Sequence, residues 1–313
     1  MRRRPLGKTG IEIPELCLGT WGLSGDGYGP VEEAEQDQVI ERALALGVRA
    51  FETADAYAKG EMEKRLGRLL EKVEDALVIT KVGTDRSATP PAKRFDDAYL
   101  KEAIEKSAER LKRKPDLVLL HNPSTVALGK EKTREVLDQL VKDGVIRAWG
   151  ASVGSAEIGR KALQVGAQVL QVAYSCFHQK DFNGVLEYVK DNKAGLLVRS
   201  VLVHGLLCGQ WPTTKTFPSG DHRRDRWTID ELKKRISQLS ALRPSVSGTV
   251  TSMRAAALRY ALDEPDVSSV VIGPRSTQQL DQLVRDAGKE PPYLPANSRN
   301  ALHNRLSTAG IKW

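Results

Sequence analysis

Short apolar runs alternate with longer amphipathic stretches along almost the whole chain, and this alternation narrows the possible folds more than any other feature. The first run is Leu16-Cys17-Leu18. A helical pattern over about 32–46 leads to a run at 48–53. One over about 61–72 leads to Leu77-Val78-Ile79-Thr80-Lys81, and one over about 97–112 to Leu117-Val118-Leu119-Leu120-His121. The pattern continues with a helix at about 130–143 and a strand from Ile146 to Ser152. Next come a helix at about 155–164 before Val169 to Ala173, and one at about 183–192 before Leu196 to Ser200. A helix at about 250–263 precedes Val270-Val271-Ile272-Gly273, and a further helix starts near 277. Short apolar strands separated by helices imply a parallel sheet covered on its outer face. Eight such units predict a (β/α)8 TIM barrel, taken as one domain over residues 1–313. Turn chemistry at Leu6-Gly7-Lys8-Thr9-Gly10 adds an N-terminal hairpin within residues 5–18. A doubly wound sheet is disfavoured. No GxGxxG follows the first strand, and Gly205-Leu206-Leu207-Cys208-Gly209 has the wrong spacing.

Polar residues interrupt the strands at one end. Glu52, Lys81, His121, Ser152, Gln171 and Arg199 each fall at or near the C-terminal end of a different strand. Each alone reads as a structural residue or the start of a loop. In a barrel those ends converge on one mouth, where sites are built. Within the second strand Ala50, Glu52 and Ala54 share a face, opposite Phe51 and Thr53. A carboxylate buried there needs a cation or donors. Tyr57 follows five residues later. Segment 203–250 shifts composition toward Pro, Thr, Gly and Arg. It reads as an elaborated loop after strand seven, with one inserted helix at about 229–242, and is a candidate lid.

Composition excludes several classes. The net charge of +8 suits an anionic cofactor. With 5% aromatic residues and no stripe of interleaved basic and aromatic side chains, nucleic acid is not the expected partner. The most apolar stretch, 195–209, is broken by Arg199 and His204 and is too short for a membrane span. No apolar core follows the basic N-terminus, so no signal peptide is expected. The three cysteines, Cys17, Cys176 and Cys208, lack CxxC spacing and point to a reducing, cytoplasmic setting. His121, His178, His204, His222 and His303 show no metal-ligand spacing, so no metal is expected. Gly150-Ala151-Ser152-Val153-Gly154 matches GxSxG, but no paired acid is evident for hydrolysis.

These fragments, in order and over nearly the whole chain, resemble the aldo-keto reductase superfamily. Its tyrosine signature is matched by Glu52-Thr53-Ala54-Asp55-Ala56-Tyr57, its lysine by Thr80-Lys81 and its histidine by Leu119-Leu120-His121-Asn122-Pro123. Its strand-five serine is matched by Gly150-Ala151-Ser152, its glutamine by Gln171, and its loop after strand seven by Gly205 to Gly209. Its cofactor stretch is matched by Ile272-Gly273-Pro274-Arg275-Ser276 with Gln279. The resemblance implies NADPH-dependent reduction of a small aldehyde or ketone. Tyr57 would be the proton donor, Lys81 would lower its pKa, His121 would orient the carbonyl, and Glu52 would pair with Lys81. Ser152 and Gln171 would hold the nicotinamide carboxamide. Gly19, Thr20, Trp21, Arg199, Ser200, Leu202, Gly205, Leu207 and Gly209 would line the cofactor. Ile272, Gly273, Arg275 and Gln279 would reach its adenosine end, with NADP+ as product. Three positions depart from the family pattern: Glu52 for Asp, and Val153 and Leu283 for Asn. They support an alternative, a cofactor-binding regulatory or scaffold protein with little turnover. Trp21 and Tyr28 suggest an aromatic wall, and loops 22–31, 84–96, 122–129 and the C-terminal tail are expected around the pocket.

Overall fold

A computed structural model describes residues 1–311. The last two residues of the C-terminal tail expected near the pocket lie outside the described residues. Eight strands form a closed parallel barrel: β1 (Leu16–Gly19), β2 (Ala50–Glu52), β3 (Leu77–Val82), β4 (Leu117–His121), β5 (Ala148–Ser152), β6 (Val169–Ala173), β7 (Gly195–Arg199) and β8 (Ser269–Ile272). β8 closes the ring on β1 through Val270–Leu16, Val271–Cys17 and Ile272–Leu18. After the strands, in order, come α1 (Glu33–Ala45), α2 (Glu61–Leu69), α3 (Asp97–Leu111), α4 (Glu131–Lys142), α5 (Ala156–Gln164), α6 (Lys180–Asp191), α7 (Met253–Leu262) and α8 (Thr277–Ala287). No described helix is long and apolar enough to cross a membrane.

Strand periodicity divides the core in two. Cys17, Ala50, Leu77, Ile79, Leu117, Leu119, Ala148, Val169, Leu197 and Val271 fill the barrel interior. Phe51, Val78, Val118, Leu120, Trp149, Leu170, Val198 and Ile272 face the helices. The split follows the period of two, with Ala50 inside and Phe51 outside, as the alternation predicts. Side-chain caps set several helix starts. Asp96 accepts from the Tyr99 N–H at 3.1 Å, and Ser252 from the Ala255 N–H at 3.0 Å. The Ser252 cap explains why α7 begins at Met253 rather than at 250.

The hairpin pairs Arg3–Pro5 with Glu12–Pro14, so it ends before β1 instead of running to residue 18. Its Leu6, Ile11 and Ile13 join the interior core and close the floor of the barrel. At Gly7 the backbone is left-handed, and a Cβ would meet the Gly195 nitrogen at 2.2 Å. Only glycine fits that contact. Arg4 fastens the floor. It donates to Glu15 at 2.6 Å and to the carbonyls of Leu262, Glu264 and Val267 near the end of α7. At the other end, loop 84–96 contains a small hairpin, Thr84–Asp85 against Ala92–Lys93. The inserted helix of the long loop spans Ile229–Gln238 and continues as a 3-10 turn, Leu239–Ala241, so the expected helical region is present but changes pitch.

Candidate active site

The polar strand ends do meet. Glu52, Lys81, Gln171 and Ser152 form one hydrogen-bonded chain across the mouth. The Lys81 ammonium bonds the Glu52 carboxylate and donates to the Thr53 carbonyl at 3.0 Å. Gln171 Nε2 donates to Glu52 Oε1 at 2.9 Å, and Ser152 Oγ donates to Gln171 Oε1 at 2.6 Å. All four residues are buried. Burial pulls the Lys81 pKa down, and the Glu52 charge opposes that pull. Glu52 and Lys81 thus form a buried pair at the ends of neighbouring strands.

Tyr57 opens a short turn, Tyr57–Gly60, in which Ala58 and Lys59 are left-handed at φ 46° and 54°. Such geometry persists only where neighbours enforce it. Asp26 accepts from the Ala58 N–H at 2.7 Å, and Arg86 donates to the Ala56 carbonyl at 2.8 Å and to Asp26 at 3.1 Å. Sequence patterns did not reveal this brace, because Asp26 and Arg86 lie in aperiodic loops. The Tyr57 ring stands edge-on to His121, with centroids 6.0 Å apart, and Lys81 Nζ lies 4.6 Å from the Tyr57 centroid. His121 is held below its ordinary pKa by burial, then by the charges of Lys81, Lys93 and Arg199. Its Nδ1 is buried without a hydrogen-bond partner among the described residues. A neutral imidazole with one open nitrogen can meet a carbonyl oxygen.

The tyrosine differs from expectation. Its pKa lies well above the ordinary value, first because of burial and then because of the Glu52 charge. The ammonium expected to lower it is bonded to Glu52 and lies toward the ring.

Asp55, two residues before Tyr57, has one buried oxygen without a partner. Burial, reinforced by Glu63, raises its pKa to about 7. The folded value exceeds the unfolded one, about 3.9. Ionisation thus costs stability that begins to be lost above pH 4 and is fully lost above about pH 7. Asp55→Asn is expected to gain up to about 4 kcal/mol over wild type at pH 8 and nothing near pH 4. Melting temperatures at the two pH values check this, and equal shifts at both would refute it.

Other expected positions divide by depth. Thr20 is fully buried, its hydroxyl donating to Thr53 Oγ1 at 2.9 Å, so it props β1 against the β2 end. Gly19 is buried beside Glu52. Ile272 and Leu207 point their side chains into the core facing the helices, which leaves only their backbones to line a site. Val153 and Leu283 are buried apolar residues, and Val153 offers its carbonyl to Arg199 at 3.0 Å. Ser200, Val203 and His204 have φ of 61°, 47° and 57°, a run of strained residues just beyond β7. Gly205 and Gly209 are left-handed as well, Leu202 is partly buried, and Gly273 has open space around it.

The long loop packs against loop 21–28. Trp21 lies 5.0 Å from Tyr28 and 4.9 Å from His222, and the Tyr28 hydroxyl is 3.1 Å from His204 Nδ1. The aromatic wall expected from Trp21 and Tyr28 is thus extended by two histidines. Arg275 donates to the carbonyls of Gly22, Gly29 and Pro30 at 3.2, 2.9 and 3.0 Å. Gln279 accepts from the Arg275 N–H at 2.9 Å. Glu35, not singled out by its sequence, accepts from the Thr277 N–H at the start of α8.

The family model described as the aldo/keto reductase family matches residues 15–290. The chain belongs to the aldo/keto reductase family. It is 30% identical to the aldo-keto reductase YhdN of Bacillus subtilis (strain 168), over 92% of this chain and 89% of that protein. It is 28% identical to an NADH-specific methylglyoxal reductase of Escherichia coli (strain K12), over 91% and 93%. The structure of a glycerol dehydrogenase from Gluconobacter oxydans superposes with a TM-score of 0.86 at 24% identity, covering 99% of this chain and 97% of that one. At that identity the likeness concerns the fold.

Members of the aldo/keto reductase family are oxidoreductases acting between carbonyl and alcohol groups. The donor set here fits a nicotinamide. A buried hydroxyl and a carboxamide sit side by side on β5 and β6, and an imidazole nitrogen is open at the mouth. Both ends are already engaged, since Ser152 and Gln171 bond each other and Glu52, and Arg275 and one α8 N–H also have partners.

Proposed function

We propose that the protein is an NADPH-dependent reductase of small aldehydes or ketones, one domain over residues 1–313 and cytoplasmic, with Tyr57 as proton donor. The convergence of Tyr57, the Glu52–Lys81 pair and the open nitrogen of His121 on one mouth carries this reading. Reduced nicotinamide supplies the hydride when bound. Ser152 and Gln171 are the residues to hold its carboxamide. His121 orients the carbonyl oxygen, and Tyr57 delivers a proton to that oxygen as negative charge develops. Glu52 keeps Lys81 fixed beneath the tyrosine ring. The floor closes the far end of the barrel to water. Loss of nicotinamide absorbance with a panel of aldehydes and ketones tests the activity. Tight cofactor binding without turnover on any carbonyl would favour the scaffold alternative.

Cofactor choice rests on Arg275, whose guanidinium suits a 2′-phosphate. Phosphate binding would draw it from the Gly29 and Pro30 carbonyls. Arg275→Ala is expected to weaken NADPH binding by roughly 1.5–3 kcal/mol more than NADH binding. Fluorescence titration with both cofactors checks it. Equal loss for both would reduce Arg275 to a clamp on loop 22–30.

A further inference from the structure

Loop 84–96 carries three cations, and two of them face carboxylates. Arg86 pairs with Asp26 at 3.1 Å and donates to the Ala56 carbonyl. Arg94 pairs with Asp85 at 3.3 Å and with Asp96 at 3.4 Å. Lys93 is engaged differently. Its ammonium donates to the Thr84 hydroxyl at 2.6 Å and to the main-chain carbonyl of His121 at 2.7 Å, and it forms no ion pair among the described residues. Both of its acceptors are neutral. A neutral side chain with two N–H donors could serve them, so the hairpin does not need the charge.

The fold fixes where that charge sits. Thr84 and Lys93 face each other across the small hairpin. Its base is anchored, because a Cβ on Gly83 would meet the Phe95 ring at 2.1 Å and the Phe95 carbonyl accepts from the Thr133 hydroxyl at 2.8 Å. The bond to the His121 carbonyl then ties the hairpin to the end of β4. His121 carries the open Nδ1 of the mouth, and its ring stands edge-on to Tyr57. Lys93 is therefore in direct contact with a residue that faces the reacting carbonyl. It is exposed at the rim, so an arriving ligand can reach it. An ammonium has three donors, and two are engaged, which leaves one N–H and the full unit charge.

We propose that Lys93 selects substrates that carry an anionic group, a carboxylate or a phosphate, on the carbon chain of the aldehyde or ketone. The proposal rests on the reading of this mouth as a carbonyl-reducing site. A hydrogen bond from an ammonium to an anion is shorter than a neutral one and about twice as strong. Lysine suits either anion, since its ammonium acts as a point charge rather than as a planar fork. The charge lies off the bond being reduced. Its contribution is therefore the same before and during hydride transfer, and it appears in KM rather than in kcat.

The test uses matched substrates: butanal against succinic semialdehyde for a carboxylate, and glyceraldehyde against its terminal phosphate ester for a phosphate. The wild type is expected to show a KM lower by roughly tenfold or more for the anionic member of at least one pair, and the pair that responds names the group. Lys93→Gln keeps N–H donors for Thr84 and His121 and removes the charge. It is expected to raise KM for the anionic member by roughly tenfold and to leave kcat and the neutral member within about twofold. Lys93→Arg keeps the charge and should hold the preference to within about threefold. Equal KM values within both pairs in the wild type overturn the proposal. So does an equal rise for neutral and anionic members in Lys93→Gln, which would make Lys93 a brace on the hairpin only. So does a loss in Lys93→Arg as large as that in Lys93→Gln. Melting temperatures identify a variant that does not fold, and the wild-type comparison decides the matter without one. If no carbonyl of any kind is turned over, the reading of the mouth falls and this proposal with it. If neutral and anionic members are turned over alike, only this proposal falls.

Discussion

Tyr57→Phe is expected to lower kcat for carbonyl reduction by about 10²–10⁴-fold, with cofactor affinity little changed. Phenylalanine keeps the ring, so the edge-on contact with His121 and the Lys81 contact survive. Only the hydroxyl, and with it the transferable proton, is lost. The turn that carries residue 57 is held by Asp26 and Arg86 through backbone atoms, so the substitution leaves its brace intact. Steady-state rates and a cofactor titration on the same preparation check the expectation. A near wild-type rate would remove Tyr57 from the reaction.

Glu52→Ala is expected to lose stability and activity together. Glu52 and Lys81 are both almost fully buried, and removing one partner of a buried pair costs roughly 3–5 kcal/mol because the other is left uncompensated. Gln171 loses its acceptor in the same step, so the chain through Ser152 is broken at its root. Glu52→Asp keeps the charge and should remain active. The pH profile has a sign of its own. Glu52 is the largest charged contributor to the raised Tyr57 pKa, so its removal moves the tyrosine midpoint down. An alanine variant with an unchanged melting temperature and an unchanged pH–rate profile would sink the pairing.

Much of the fold was legible because strands and helices write their environment into a period. Ala50 and Phe51 alternate between the two cores, and the eighth strand closes on the first as the count of units requires. The Glu52–Lys81 pair was legible for a related reason: an acid at a buried strand end must find a cation, and the neighbouring strand ends in one. What stayed hidden lies in loops and in long-range contacts. Nothing in the spacing of Asp26 or Arg86 shows that they brace the turn after Tyr57. The carbonyls that occupy Arg275 come from residues about 250 positions away in the chain. The partner of the α8 N-terminus is Glu35, on the first helix of the barrel. The raised pKa of Tyr57 was hidden too, since it comes first from burial and then from the Glu52 charge, and strand periodicity reports neither for a residue in a turn.

The floor formed by Leu6, Ile11 and Ile13 turns the barrel into a vessel with one doorway. On the proposed reading, water reaches Tyr57 from the side where the loops meet, and the alcohol leaves by the same side. Recharging the acid and discharging the product therefore share a single passage. The contacts of Trp21 and Tyr28 with His204 and His222 join the two loops that border that side.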